Sequence, residues 1–126
     1  MTYYHQQFLK IREEVYPNEY VCRQIIQAKR FIDSQFATSI RLSDIAEAAF
    51  LSKFHFIRLF KQNYGQTPYQ YLTMVRIAQA KRLLRTEKTI REVCFAVGFD
   101  SVSSFTALFK KITGVTPSTF RKRLAT

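Results

Sequence analysis

The sequence predicts an all-α fold, and three observations support this prediction. Apolar residues along most of the chain recur every three or four positions, which is the period of an amphipathic helix. Glycine and proline are scarce, with three of each in 126 residues, and each falls at a plausible boundary between helical segments. Residues 59–68, LFKQNYGQTP, match residues 108–117, LFKKITGVTP, at six of ten positions. We therefore expect about seven helices, arranged as two copies of one unit.

The first half of the chain contains four expected helices after an N-terminal extension, residues 1–18. Within that extension Phe8, Ile11 and Val15 fit a weaker helical pattern, which would add one more helix. A helix over about 19–36 is followed by a short one, about 43–49, with Ser43 as its cap. A longer helix, 52–64, and a long helix, about 68–85, come next. Serine before a helix, glycine after it and proline at its first turn are the usual boundary residues.

The second half repeats this order. Its sequence predicts a short helix at 90–97, a turn at Gly98, a helix at 101–113 that Gly114 ends, and a last helix from Pro117 to about 124. Extended back to residues 52 and 101, the two copies agree at eight of 17 positions. When Ala46 is aligned with Cys94, Phe50 falls at the position of Gly98, and the first copy is one residue shorter before its second helix.

Each copy has the order of a helix-turn-helix motif, in which a short helix turns into a second one. This motif places its second helix in the major groove of DNA. We therefore expect helix-turn-helix units at about 43–64 and 90–113, joined by the long helix at 68–85, in one domain over residues 19–126.

The two faces of each second helix differ in how well they repeat. One face carries bulky residues at helical spacing, which predicts a core: Phe56, Leu59, Phe60 and Asn63, matched by Phe105, Leu108, Phe109 and Ile112. The other face diverges between the copies: Lys53, Phe54, Ile57, Arg58 and Lys61 against Val102, Ser103, Thr106, Ala107 and Lys110. Copies that read different bases would show this pattern, and so would ordinary drift at exposed positions.

The charge of the chain indicates a polyanionic partner. Twenty Lys and Arg residues face nine Asp and Glu residues, for a formal net charge of +11. The 39 residues between Glu47 and Glu87 contain no acidic residue but seven basic ones, and no acid follows Asp100. A solvated face normally carries charges of both signs. The distribution therefore favours nucleic acid or an anionic membrane surface as the partner.

The sequence lacks the motifs of an enzyme or a cofactor-binding protein. It has no glycine-rich phosphate loop, nucleophile elbow or paired carboxylates. His5 and His55 have no partner at metal-ligand spacing, and Cys22 and Cys94 fit buried thiols. No apolar run of 18 residues and no signal peptide occurs. We expect a cytoplasmic, nucleoid-associated protein that is not an enzyme and has no cofactor, metal or membrane partner.

The outer faces offer chemistry that suits DNA. Arginine can bond guanine O6 and N7 together, and apolar groups can contact the thymine methyl. Arg58 suits the first role, and Phe54 and Ile57 suit the second, although Arg58 could be a plain surface charge and the other two could pack against a neighbouring helix. Phosphate contacts are expected from the basic residues around the two helices, namely Lys53, Lys61, Lys110, Lys111 and Arg121. The basic end FRKRL, which contains Arg121, could equally be a solvated tail.

The second copy, IREVCFAVGFDSVSSFTALFKKITGVTPSTFR, resembles the AraC/XylS family of bacterial transcription regulators. The matching positions are Ile90, Val93, Val97, Gly98, Phe99, Phe105, Phe109, Lys110, Gly114, Pro117 and Arg121. The segment YLTMVRIAQAKRLL is similar to the family's linker helix at Tyr71, Leu72, Arg76, Ile77, Ala80, Leu83 and Leu84. The likeness covers about residues 25–121. The chain looks like a small stand-alone member, or like a domain of a longer protein.

The resemblance implies two recognition helices that enter successive major grooves on one side of the duplex. It also implies base contacts from Phe54, Ile57 and Arg58 in the first copy and from Ser103, Thr106 and Ala107 in the second. Ala107 stands where many members carry arginine.

On these grounds we expect a sequence-specific regulator that binds promoter DNA as a monomer, and an activator that touches RNA polymerase. The alternative is a polycation that binds DNA or an anionic surface by charge alone. A third, minor alternative is an accessory protein that delivers a DNA-modifying partner.

Overall fold

Seven helices make up the part of the chain that the computed structural model describes, residues 19–48 and 51–125, and no strand occurs there. The expected all-α fold is thus confirmed, with helix ends within about two residues of the expected ones. The predictions for residues 1–18 and for Phe50 lie outside the described residues. The helices are α1 Glu19–Gln35, α2 Leu42–Ala48, α3 Lys53–Tyr64, α4 Pro68–Leu83, α5 Ile90–Ala96, α6 Val102–Thr113 and α7 Pro117–Leu124.

Each unit buries its own apolar core, and α4 belongs to both. The first core joins α1, α2 and α3 to Leu72 of α4. The second core joins α5 and α6 to Ile77 and Ala80 of α4 and to Leu84 just after it. Because α4 presents one residue set to each core, it is a structural element of both units and not a free tether.

The phenylalanines that repeat in the sequence form the centre of each core. Phe56 and Phe60 are fully buried with ring centroids 5.7 Å apart, and Phe105 and Phe109 are equally buried at 5.8 Å. A third ring from the following helix completes each group. Tyr71 lies 5.7 Å from Phe60, and the equivalent Phe120 lies 5.5 Å from Phe109. The internal repeat is therefore also a repeat of packing.

The ends of α3 and α6 are defined by the same residues in both units. The hydroxyl oxygens of Ser52 and Ser101 accept hydrogen bonds from backbone N–H groups of the first turn, as N-caps do. Gly65 and Gly114 end the helices in the left-handed region, with φ of 72° and 88°. Local sequence thus sets the length of both outer faces.

The turns between the paired helices support the alignment of Ala46 with Cys94. The Leu51 N–H donates to the Ala46 carbonyl at 3.0 Å, and the Phe99 N–H donates to the Cys94 carbonyl at 3.1 Å. Ser52 follows Leu51 directly, whereas one residue separates Phe99 from the second serine cap. The first copy is therefore one residue shorter at this turn, as expected.

Several finer expectations are wrong. Ser43 does not cap α2, because the helix begins at Leu42 and the Asp44 carboxylate instead accepts the Arg41 N–H at 3.0 Å. Asn63 and Ile112 were expected in the cores but are exposed, since each lies in the last turn of its helix, past the last buried ring.

Val102 is a further correction. It was expected on the outer face of α6 but is half-buried and packs against the second core. It is the first residue of α6, directly after the cap, where the chain is still leaving the second core.

Gly98 lies where the two units meet. Its φ is 98°, and a Cβ at this position would sit 2.5 Å from the carbonyl oxygen of Phe36, just after α1. Phe36 itself packs against both cores. A side chain at residue 98 would therefore force the units apart as well as strain the backbone.

Replacement of Gly98 by alanine should be much more harmful than the matched change at Gly114. Gly114 has a similar φ of 88° with nothing within 4 Å of a new Cβ, so Gly114→Ala should cost about 1–2 kcal/mol of backbone strain. Gly98→Ala adds an overlap with backbone, at a further cost of about 1–3 kcal/mol. Urea unfolding followed by circular dichroism measures both. Equal losses in the two variants would show that the contact with Phe36 is not close.

Candidate nucleic-acid interface

The outer face of α3 combines an exposed aromatic ring with an exposed arginine. Phe54 is 84% exposed, and Arg58, one turn further on, is also exposed. Ile57 is half-buried between this face and the core. Packing against a neighbouring helix therefore does not account for Phe54, although it accounts for part of Ile57. Burial of a phenyl ring contributes about 1.5–3 kcal/mol of favourable free energy, which an exposed ring does not gain. A partner that covered Phe54 would gain this free energy, so this face is suited to binding.

The outer face of α6 carries smaller side chains and no arginine. Ser103 and Ala107 are exposed, and Thr106 is half-buried. The hydroxyls of Ser101 and Ser104 lie 3.0 Å apart and are engaged at the helix start. The structure thus brings the three expected residues of each unit to one outer face. It gives α6 small side chains where α3 has long ones.

The lysines around these faces form no salt bridge with an acidic residue in the part of the chain that the structure describes. Lys53, Lys61, Lys110 and Lys111 are all exposed. Both salt bridges found among residues 19–48 and 51–125 join side chains within α1, far along the chain from these lysines. The positive charge on α3 and α6 is therefore available to a polyanion.

Arg121 differs from the other expected phosphate-binding residues. Its Nε donates a hydrogen bond to the Leu84 carbonyl oxygen at 3.0 Å, and its side chain is half-buried. The guanidinium thus satisfies a carbonyl just after α4 and ties α7 to that helix end. This is a structural role rather than that of a free surface cation. Lys122, next to it, is exposed.

Two further exposed arginines lie at the first helix of each unit and are not among the DNA contacts expected from the sequence. Arg41 is exposed directly before α2, and Arg91 is exposed in the first turn of α5. The guanidinium of Arg91 lies 5.3 Å from the ring centroid of the exposed Phe95. The first helix of this motif crosses the DNA backbone. The sequence feature that indicates such a backbone contact is a basic residue at the start of both short helices.

The described part of the chain shows neither a metal site nor a membrane-spanning helix. It contains no group of three or more side chains that could hold a metal ion, and no helix long and apolar enough to cross a membrane. Cys94 is fully buried, and burial raises the pKa of its thiol, whereas Cys22 is only half-buried.

Comparison with known proteins identifies the family that has this architecture. A family model described as a helix-turn-helix domain matches residues 45–123, more than half of the chain. A transcriptional regulator with an AraC-type DNA-binding domain from Chromobacterium violaceum superposes with a TM-score of 0.73 and 27% identity, over 84% of this chain and 96% of that one. The chain belongs to the AraC/XylS family. The expected resemblance is therefore confirmed, including the arrangement of two helix-turn-helix units.

Two further relatives of this AraC-type chain bear on its function. It is 37% identical over 93 residues to AdaA of Bacillus subtilis, a bifunctional transcriptional activator and DNA repair enzyme, covering 73% of this chain and 44% of AdaA. The chain thus spans less than half the length of that relative. The DNA-binding domain of AdpA, a global transcriptional factor solved in complex with a target DNA, superposes with a TM-score of 0.76 and 26% identity, over 79% of this chain and 90% of that one.

The exposed lysines of α3 and α6 predict a steep salt dependence of DNA affinity. Each phosphate neutralised contributes about −0.9 to the slope of log affinity against log salt concentration. Lys61→Ala or Lys110→Ala should each make the slope less negative by about one unit, with little change in base preference. Fluorescence anisotropy over a salt series measures the slope. Lys29→Ala is the control, because Lys29 pairs with Asp33 on α1. A slope unchanged in the first two variants, or changed equally in the control, would refute this assignment.

Proposed function

We propose that this chain binds double-stranded promoter DNA in a sequence-specific way, as the DNA-reading part of a transcription regulator, with α3 and α6 in successive major grooves. The exposure of Phe54 and Arg58 on one face of α3 carries this proposal. Their neighbours Phe56 and Phe60 are buried, so the orientation of the helix is fixed and the outer pair points to solvent.

Each outer side chain has a role in this proposal. Arg58 bonds guanine bidentately, and Phe54 and Ile57 contact thymine methyl groups. Base contacts in the other groove come from Ser103, Thr106 and Ala107. Phosphate contacts come from Lys53, Lys61, Lys110 and Lys111, with Arg41 and Arg91 at the starts of the short helices.

The alternative of a polycation that binds by charge alone fits the structure less well. Such a protein needs basic side chains but no apolar ones on its binding face. Phe54 is the most exposed of the large apolar residues in the described part of the chain, and it lies beside Arg58 on the outer face. A charge-only binder gives no reason for this placement.

Further parts of the proposal concern the assembly on DNA. One chain carries two reading helices, so it binds as a monomer. Its action is activation through contact with RNA polymerase, and it has no catalytic activity of its own. AdaA, one of its relatives, is named as an activator.

The two units should contribute unequally to sequence preference. A bidentate arginine–guanine contact supplies about 1–3 kcal/mol of discrimination, whereas serine and threonine bond to several bases. Arg58→Ala should therefore flatten one half of the selected site, and Thr106→Ala should change it only slightly. Selection from a random duplex library with each variant is the measurement. If Thr106→Ala removes more sequence information, the reading half is misassigned; if wild type selects no sequence, binding by charge alone is favoured.

The length of α4 predicts a bend in the bound DNA. The helix has 16 residues and spans about 24 Å, while major grooves on one face recur about every 34 Å. Seating both recognition helices should bend the duplex, at a cost of about 1–6 kcal/mol. A circular-permutation gel on a selected site tests this. Mobility that does not depend on the position of the site would mean that the DNA stays straight, as when one unit alone is seated.

A further inference from the structure

Arg76 joins the two units through the backbone that follows α1. It lies on α4 between the residues that enter the two cores. Its Nε donates to the Phe36 carbonyl oxygen at 2.8 Å, and its Nη2 donates to the Thr38 carbonyl oxygen at 2.9 Å. Both acceptors follow the end of α1, where carbonyls lack helical partners. One edge of the guanidinium is therefore fixed to the first unit.

The same guanidinium also lies over an aromatic ring of the second unit. Its central carbon lies 5.7 Å from the ring centroid of Phe99, in the turn between α5 and α6. A Cβ on the adjacent Gly98 would come within 2.9 Å of Arg76 Nε and 2.5 Å of the Phe36 oxygen. Burial lowers the pKa of Arg76, which reflects how closely these groups enclose it. Arg76 is thus held by the end of α1 on one side and by the α5–α6 turn on the other.

The rest of the boundary between the units offers less contact. Within the described residues, α4 packs against helices of both units, but no helix of α1–α3 packs broadly against one of α5–α7. On one side, α4 and α6 are separated by an open groove of about 520 Å³, lined by residues that include Tyr69, Met74, Leu108 and Ile112. The contacts around Arg76 therefore contribute much of the interaction that fixes the orientation of one unit relative to the other.

We propose that Arg76 is a positioning residue that sets the orientation of α3 relative to α6, and thereby the affinity that the second half-site adds. This inference rests on the proposed binding to two grooves. A planar guanidinium can donate to two carbonyls and stack on a ring at the same time, and a lysine ammonium cannot reproduce that geometry. With lysine at residue 76, the units should remain folded and packed on α4 but vary more in their relative orientation, because α4 can bend between the two cores.

The chain offers a matched control. Arg121 also donates its Nε to a backbone carbonyl beyond a helix end, at 3.0 Å, but both Arg121 and its acceptor Leu84 belong to the second unit. Arg121→Lys therefore removes the same kind of hydrogen bond without touching the boundary between the units.

The test uses two duplexes built on a selected site: the native site, and the same site cut off after its stronger half, so that the second unit has no DNA backbone to contact. A rigid pair of units gains about 100-fold in affinity from the second half-site. Wild type and Arg121→Lys should show this gain. Arg76→Lys should bind the native site more weakly, with a gain of less than about threefold, while binding the truncated site as wild type does.

Two different failures can be told apart. If wild type binds the truncated site as well as the native site, the proposed two-groove binding is wrong. If wild type gains affinity from the second half-site and Arg76→Lys gains equally, the two-groove binding stands and the role of Arg76 is refuted. A loss of affinity in Arg76→Lys that is equal for both duplexes would also refute it.

A second measurement needs no DNA. Spin labels at Lys61→Cys and Lys110→Cys, with Cys22 and Cys94 replaced, report the distance between α3 and α6 in free protein. The distribution should be narrow in wild type and in Arg121→Lys and clearly broader in Arg76→Lys. If Arg76→Lys does not fold, Phe99→Leu removes the ring next to the guanidinium, together with the packing of that ring on Phe105, and should broaden the distribution to a smaller degree. A distribution that stays narrow in the folded variant overturns the proposal.

Discussion

The contact among Arg76, Phe36 and Gly98 is the constraint on which the arrangement of the two units depends. A glycine without a Cβ lets the α5–α6 turn approach the Phe36 carbonyl, and that same carbonyl accepts a hydrogen bond from Arg76. The three residues come from three separate parts of the chain. A change at any one of them alters the surface that the other two require, so the relative placement of α3 and α6 is determined here.

The shared helix α4 explains how two small cores behave as one domain. It supplies Leu72 to the first core and Ile77 and Ala80 to the second. A unit of about 50 residues that stands alone buries a smaller fraction of its surface on folding than a larger domain does. Because α4 is shared, each unit gains a further helix that packs against its core. The length of α4 then sets the distance between the two recognition helices.

The two units are equivalent inside and different outside. Phe56, Phe60, Phe105 and Phe109 preserve the same packing, whereas the outer faces carry a long arginine and an exposed ring in one unit and small side chains in the other. Core positions are constrained by packing density, so they tolerate little change. Outer positions meet only solvent or a partner. A duplicated scaffold can therefore present two unlike surfaces without loss of either core.

The sequence by itself determined the helices, the caps of α3 and α6 and the buried phenylalanines, because these depend on local spacing and on residues such as Ser52 and Gly114. It also placed Phe54 and Arg58 on the outer face. The tertiary structure alone decided that Ile112 is exposed and that Arg121 bonds the Leu84 carbonyl, since helical periodicity does not show which neighbour covers a given face. The bond from Arg76 to Phe36 spans 40 residues, and no local pattern encodes a partner that only packing brings near.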